Sequence, residues 1–175
     1  MTDSLDRHGA EERFRGVFVH LGAVAAYARR RGSRDADAVA AEVMTIAWRR
    51  LADVPTDDPR PWLYATARNL SLAEARRTPA LAGEPSDDLV GPTPPGVFEL
   101  DPDLGIALLS LSALDREALL LVAWEDLTPT QAARSLGISP VAFRVRLLRA
   151  RRRIRSKLEA GARAGATSDL DLETT

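Results

Sequence analysis

Between Arg144 and Lys157 the chain carries Arg144, Arg146, Arg149, Arg151, Arg152, Arg153, Arg155 and Lys157, and no acid appears until Glu159. Threaded through these cations, Phe143, Leu147, Ala150, Ile154 and Leu158 recur at helical spacing. A helix with one apolar edge and positive charge on the rest suits duplex DNA, which offers about one negative charge per 1.7 Å of axis. Guanidinium groups also read sequence, because a bidentate arginine matches the O6 and N7 of guanine. Arg144, Arg146 and Arg149 are therefore the candidate base or phosphate contacts. Arg151 to Lys157 are expected to touch phosphate or only water. Val141, Ala142 and Val145 offer methyl contacts to thymine, or else pack or lie in solvent.

Other chemistries lack their parts. There is no cysteine, and His8 and His20 are the only histidines. Disulfides, thiol catalysis and a histidine-based metal site or triad are thereby set aside. Asp57 and Asp58 form a carboxylate pair with no third ligand near in sequence, and capping accounts for Asp58. No nucleophile, base and oxyanion donor come together. Neither an enzyme nor a cofactor is expected. No apolar run approaches about twenty residues and the N-terminus is polar, so membrane insertion and a signal peptide are not expected and a cytoplasmic location is. The net charge of -1 hides segregation: the basic tract is offset by acids elsewhere, including Asp169, Asp171 and Glu173.

The elements that must position the arginines are written in their caps. Thr128-Pro129-Thr130-Gln131 reads as a capping box with proline in the first helical position, and Ser139-Pro140 repeats a start signal. Gly137 between them supplies a tight corner, so two helices meet across a short turn in a helix-turn-helix. The arginine-rich second helix is expected to end near Gly161, before a disordered tail over 162–175. Upstream, Asp101-Pro102 starts a short helix to Leu111, and a helix from Leu114 to about Asp126 follows, with Asp115 as its cap. These bury Leu104, Leu108, Leu111, Leu119, Val122, Leu127, Ala132, Leu136 and Ile138.

The first half predicts three more helices. Phe14, Val17, Phe18, Leu21, Val24 and Ala28 place an amphipathic helix over Glu11 to Arg31, after a disordered lead to about Gly9, and Gly32-Ser33 stops it. A second runs from about Asp35 to Ala52, with Val39, Val43, Ile46, Ala47 and Leu51 inward. The third starts at Asp58-Pro59 and reaches about Arg77, with Trp62, Leu63, Thr66, Ala67, Leu70 and Ala73 inward and Arg60, Arg68, Arg76 and Arg77 outside. Trp48, Trp62 and Trp124 are expected in the core, whereas Tyr64 and Arg68 point away from the stripe and suit contact with unstacked single strand. Between Thr78 and Pro102 proline and glycine exclude helix. The fold class is thus all-α, two small bundles (11–78 and 102–161) joined by a Pro/Gly-rich linker (79–101).

These two blocks together resemble the extracytoplasmic-function sigma factors of bacterial RNA polymerase. Leu114-Asp115-Arg116-Glu117, Trp124-Glu125-Asp126-Leu127-Thr128, Gln131-Ala132-Ala133 and Arg144-Val145-Arg146-Leu147 look like that family's region 4. Asp35-Ala36-Asp37, Glu42-Val43, Ala47-Trp48-Arg49, Pro61-Trp62-Leu63-Tyr64 and Ala67-Arg68-Asn69-Leu70 look, more loosely, like its region 2. The resemblance implies a sigma factor that binds core RNA polymerase and directs initiation at specific promoter DNA. Ala142, Arg144, Val145, Arg146 and Arg149 would meet the -35 duplex. Asn69 would hold a base flipped from the -10 element, with the Asp53 to Asp58 loop as the other wall, helped by Tyr64, Arg68, Arg76 and Arg77. Glu42, Arg49 and Arg50 would dock on the polymerase clamp, and the linker would let an inhibitory anti-sigma partner clamp the modules together.

The sequence departs from the family at Ala38 and Ala41 on the docking helix, at Val141-Ala142 where Gly-Thr is usual, and at Val145 where serine is common. The departures bear on promoter choice and on the strength of core binding, and leave the fold untouched. Two alternatives stay open: a helix-turn-helix regulator that never joins polymerase, and a degenerate sigma-like interaction protein that directs no initiation.

Overall fold

In the computed structural model the backbone is described for residues 2–77, 97 and 101–172, and side chains for 7–74, 97 and 101–163. Eight α-helices and no strand occur among the described residues. They are α1 (Thr2–Phe18), α2 (Leu21–Arg30), α3 (Ala36–Arg49), α4 (Arg60–Arg77), α5 (Pro102–Leu109), α6 (Ala113–Ala123), α7 (Pro129–Leu136) and α8 (Pro140–Leu172), with a 3-10 turn at Leu51–Asp53. The all-α expectation holds.

Most helix starts follow the chemistry of their caps. Asp35 accepts from the Ala38 N–H at 2.8 Å, and Asp101 accepts from Leu104 at 2.9 Å. Gly32 takes φ +78°, the left-handed turn that glycine tolerates, and ends the α2 segment as expected. Ahead of α6, however, Ser112 rather than Asp115 caps, accepting from the Asp115 N–H at 3.2 Å. Asp115 is thereby left inside the first turn, where its carboxylate is free to pair elsewhere.

Other boundaries differ. The single helix expected over 11–31 is two, because the chain turns at Val19-His20, and the expected disordered lead is helical from Thr2. The turn lets α1 lie on α3 while α2 packs on both α3 and α4. At the other end the helix continues through Gly161 to Leu172, where a disordered tail over 162–175 was expected; residues 173–175 lie outside the described residues. One glycine costs a helix about 1 kcal/mol, and Ala160, Ala162 and Arg163 around it are good helix formers. The linker reading falls outside the described residues, except that Val97 is buried with Leu108, Leu111 and Ala150.

Two tryptophans correct the core expectation. Trp48 is 44% exposed and meets Phe14 edge-on at 5.1 Å, while Trp124 is 50% exposed at the C-cap of α6. Each lies just past the end or edge of its apolar stripe. Leu63, Ala67, Val43 and Ala47 are buried as expected.

The largest departure is in the number of cores. One buried cluster runs from Val24, Val43 and Leu63 through Ala67 to Leu121, Ala132, Leu136 and Phe143. Helix α4 packs on α7, so the two modules share an interface instead of hanging apart on a linker.

Candidate nucleic-acid interface

The helix-turn-helix is built as its sequence dictates. Thr128 and Gln131 form the reciprocal capping box, the Thr128 N–H donating to Gln131 Oε1 at 2.8 Å. Gly137 adopts φ +67°, and the Ile138 N–H returns to the Ala133 carbonyl at 3.1 Å, closing α7. Ser139 Oγ then accepts from the Ala142 N–H at 3.1 Å and opens α8. Phe143, Leu147 and Ala150 are buried on one edge, with Ile154 and Leu158 half-buried in line.

At about 100° per residue, the edge opposite that core carries Val141, Val145, Leu148, Arg149 and Arg152, all exposed, with Ala142 exposed beside them. Arg144, Arg151, Arg153, Arg155 and Lys157 are exposed on the flanks. Arg146 is different. Its Nη1 lies 2.6 Å from Asp115 Oδ1 with about a quarter of each side chain exposed, so it ties α8 to α6. Arg146, expected at the -35 duplex, is half-buried here, because its helical position turns it back toward the carboxylate that the Ser112 cap left free.

On α4 the expected -10 residues separate. Asn69 is exposed, as required of a group that meets a base. Tyr64 is only 2% exposed and stacks on Tyr27 with centroids 4.7 Å apart. Arg68 is half-buried, its Nε 3.2 Å from Glu117 Oε2. The expectation that Tyr64 and Arg68 face solvent is therefore corrected: α4 is buried on a second side by the C-terminal module. Arg76 and Arg77 lie in the last turn of α4, and their side chains fall outside the described residues.

A family model for sigma-70 region 4 matches residues 104–154, most of α5, all of α6 and α7, and nearly the first half of α8. The chain is also similar to CnrH, solved in complex with the cytosolic domain of CnrY, at 25% identity and a TM-score of 0.59, covering 89% of this chain and 97% of that one. The match to sigma-70 region 4 and the likeness to CnrH support an extracytoplasmic-function sigma factor. The sigma factor RpoE in complex with the anti-sigma factor NepR, from Bartonella quintana, shares the fold at 22% identity and a TM-score of 0.58, over 83% of this chain and 95% of that one. No curated protein sequence matches this chain significantly.

Of the residues expected to dock on polymerase, Glu42 and Arg49 are exposed on α3 and Arg50 at its C-cap, where Arg50 Nε lies 2.9 Å from Asp53 in the following turn. Among the described residues no group of three or more acidic or histidine side chains could hold a metal ion, and no helix is long and apolar enough to cross a membrane.

Sequence reasoning missed a buried ionic cluster between the modules. Glu117 on α6, 2% exposed, accepts from the Tyr27 hydroxyl at 2.5 Å and pairs with Arg31 and Arg68. Glu125, 9% exposed, pairs with Arg30 and lies near enough to Tyr64 to raise its pKa. Gln131 Nε2 donates to Asp58 Oδ2 at 2.8 Å from the far side of α7. Burial and the neighbouring Glu117 carboxylate push the Tyr27 hydroxyl well above the usual phenol range, and burial with Glu125 does the same to Tyr64. Burial alone would lower Arg31, but Tyr27 and Glu117 outweigh it and strengthen the guanidinium charge. Asp58 is pushed up by burial and more strongly held down by Arg60, whose guanidinium and backbone N–H both donate to it. The available signal was Glu117 itself, an acid at an inward position among Ala118, Leu120 and Leu121, opposite Tyr27 and Arg31 at i and i+4.

Proposed function

We propose that this sigma factor binds core RNA polymerase and directs it to specific promoters, with α8 on the duplex at -35 and α4 on the melted -10 element. The observation that supports this best is the capped helix-turn-helix that presents one edge of α8, from Val141 to Arg152, free of its own core. Arg144, Arg149 and Arg152 supply salt-dependent attraction and, at a guanine, base discrimination of about 1–3 kcal/mol. Val141, Val145 and Leu148 add apolar contact, for which the thymine methyl is the matching group in the major groove.

Asn69 takes the role of holding an extruded base, since an amide both donates and accepts to a base edge. The Asp53 to Asp58 loop serves as the second wall of that pocket. Binding energy there is gained only when the base leaves the stack, so the module favours the open promoter. Glu42, Arg49 and Arg50 dock on the polymerase, which supplies all the chemistry. An anti-sigma protein is a further partner, by analogy with the complexes in which the similar structures were solved.

Transcription in vitro with purified core enzyme on genomic DNA, followed by mapping of start sites, tests the reading. Defined starts that depend on the added chain are expected. Co-purification with core enzyme and no starts would favour an interaction protein, and specific duplex binding with neither would favour a separate regulator.

A further inference from the structure

We propose that Arg13 on α1 is a positioning residue for the -10 base: without touching nucleic acid, its guanidinium holds the start of the Asp53 to Asp58 loop where that loop discriminates one base from another. The proposal rests on the reading of Asn69 and this loop as the two walls of a base pocket.

The loop has little backbone bonding of its own. The last backbone hydrogen bond before it joins the Val54 N–H to the Leu51 carbonyl at 3.3 Å, and the next along the chain joins the Leu63 N–H to the Pro59 carbonyl at 3.0 Å. Pro55 and Pro59 have no N–H to donate. What fixes the segment must therefore come from side chains.

Those side chains act at its two ends. Asp58 accepts from the Arg60 backbone N–H and Nε, both at 3.0 Å, and from Arg60 Nη2 at 2.9 Å. At the other end the Val54 side chain is buried, and its carbonyl accepts from Arg13 Nη2 at 2.7 Å, across 41 positions of chain. That carbonyl stands at the C-cap of the 3-10 turn, where helical carbonyls run out of partners of their own. A guanidinium bonds such a group roughly twice as strongly as a neutral donor does. Between the two anchors lie Pro55, Thr56 and Asp57, of which Thr56 and Asp57 are exposed and polar.

Helix α1 is itself seated where Arg13 needs it. Phe14, the next residue, meets Trp48 edge-on at 5.1 Å near the end of α3, and Val17, one turn after Arg13, is buried. The helix that carries the guanidinium thus rests on the helix that leads into the loop.

The anchors are unequal, and the difference separates position from stability. Asp58 has three contacts from Arg60 and a fourth from Gln131 Nε2 at 2.8 Å, whereas the Val54 carbonyl is held by Arg13. Arg13 is exposed, so truncating it opens no cavity, and the buried Val54 side chain keeps the fold in place. What loosens is the short span that ends in Thr56 and Asp57. Reading a base edge needs groups placed within about 0.5 Å, while attraction to phosphate tolerates drift. Arg13 therefore governs discrimination more than affinity.

The test is transcription by holoenzyme reconstituted from core polymerase and the full chain, wild type or Arg13→Ala. Templates are a mapped promoter and its single-base variants at each -10 and -35 position. The wild type should prefer one base at a -10 position by about tenfold, as one good hydrogen-bonded pair provides. Arg13→Ala should flatten that preference and leave the -35 profile as it was. Arg13→Lys, which restores a cationic donor, should recover part of it, and Arg15→Ala, also exposed on α1, should change neither profile. In the free chain, nuclear magnetic resonance order parameters of the Thr56 and Asp57 amides should fall from about 0.85 to below about 0.6 in Arg13→Ala, with those of α4 unchanged. An unaltered -10 preference, a loss by one common factor on every template, or order parameters that do not move would overturn the proposal. A wild type that directs no start, or prefers no base at -10, refutes the functional reading instead, and the order parameters alone then decide whether Arg13 holds the loop.

Discussion

Thymine and uracil differ by one methyl group, which makes the outward edge of α8 testable atom by atom. Val141, Val145 and Leu148 are 67%, 48% and 51% exposed there and lie on the side opposite Phe143 and Ala150. None can form a hydrogen bond to a base edge, so any sequence they read must come from apolar contact. Covering one methyl is worth about 0.8 kcal/mol, or roughly fourfold in Kd. Deoxyuridine placed at each thymine of a mapped -35 duplex in turn should therefore weaken binding about fourfold at one or two positions and leave the rest alone. The free chain suffices for this assay, since that edge is exposed while the two modules are packed together. Val145→Ala should shrink the penalty at the thymine it covers, an interaction energy that a double-mutant cycle isolates. If every substitution leaves Kd unchanged, or if Val145→Ala leaves every penalty intact, the apolar edge does not read thymine.

Arg149→Ala should cost about 1–3 kcal/mol, confined to one base pair, whereas Arg153→Ala on the flank should weaken all duplexes alike and lower the salt slope by about one; binding to single-base variants at several salt concentrations distinguishes the two. Gly137→Ala should destabilise by about 1–2 kcal/mol in urea denaturation, and Gly137→Asn by less, because nothing lies within 4 Å of the added Cβ and the whole cost is the left-handed backbone; an alanine variant as stable as the wild type would contradict this. Both tyrosines of the chain have raised pKa values, so their contribution to stability is complete below pH 10 and is lost as pH rises beyond it. Tyrosinate absorbance should thus stay absent at pH 10 and emerge only with opening of the fold; ordinary titration of either phenol at pH 10 would speak against its burial.

Local chemistry explains what was legible. A cap is a contract among four neighbouring residues, so Thr128 with Gln131, Asp101 with Leu104 and Gly137 at its corner could be read from sequence and sit where expected. Periodicity likewise placed Phe143, Leu147 and Ala150 inward and left Arg144 and Arg149 outward. Asp115 was misread because two adjacent candidates, Ser112 and Asp115, satisfy the same rule and only the fold chooses. Trp48 and Trp124 were misread because size suggests burial, while their positions past the stripe decide against it.

Tyr64, Arg68 and Arg146 failed for another reason, and together they say something about how such a chain must be read. Each lies off the main apolar stripe of its own helix, which in isolation means solvent. Each instead lies against an acid from elsewhere in the chain: Tyr64 is near Glu125 in the turn after α6, Arg68 meets Glu117, and Arg146 meets Asp115. A polar side chain satisfied by a long-range partner leaves no periodic trace, since the pairing depends on which modules dock. Glu117 to Arg31 spans 86 positions in the chain (117 minus 31), far outside any window in which periodicity operates. Asn69, one position past Arg68, has no such partner to meet and stays exposed. Arg68→Lys keeps the charge but loses the planar guanidinium fork, so the pair with buried Glu117 should weaken and urea denaturation should show a loss of about 1–3 kcal/mol. An unchanged midpoint would mean that this long-range pair adds nothing to the packing of the two modules, and that the burial of Arg68 follows from its apolar neighbours alone.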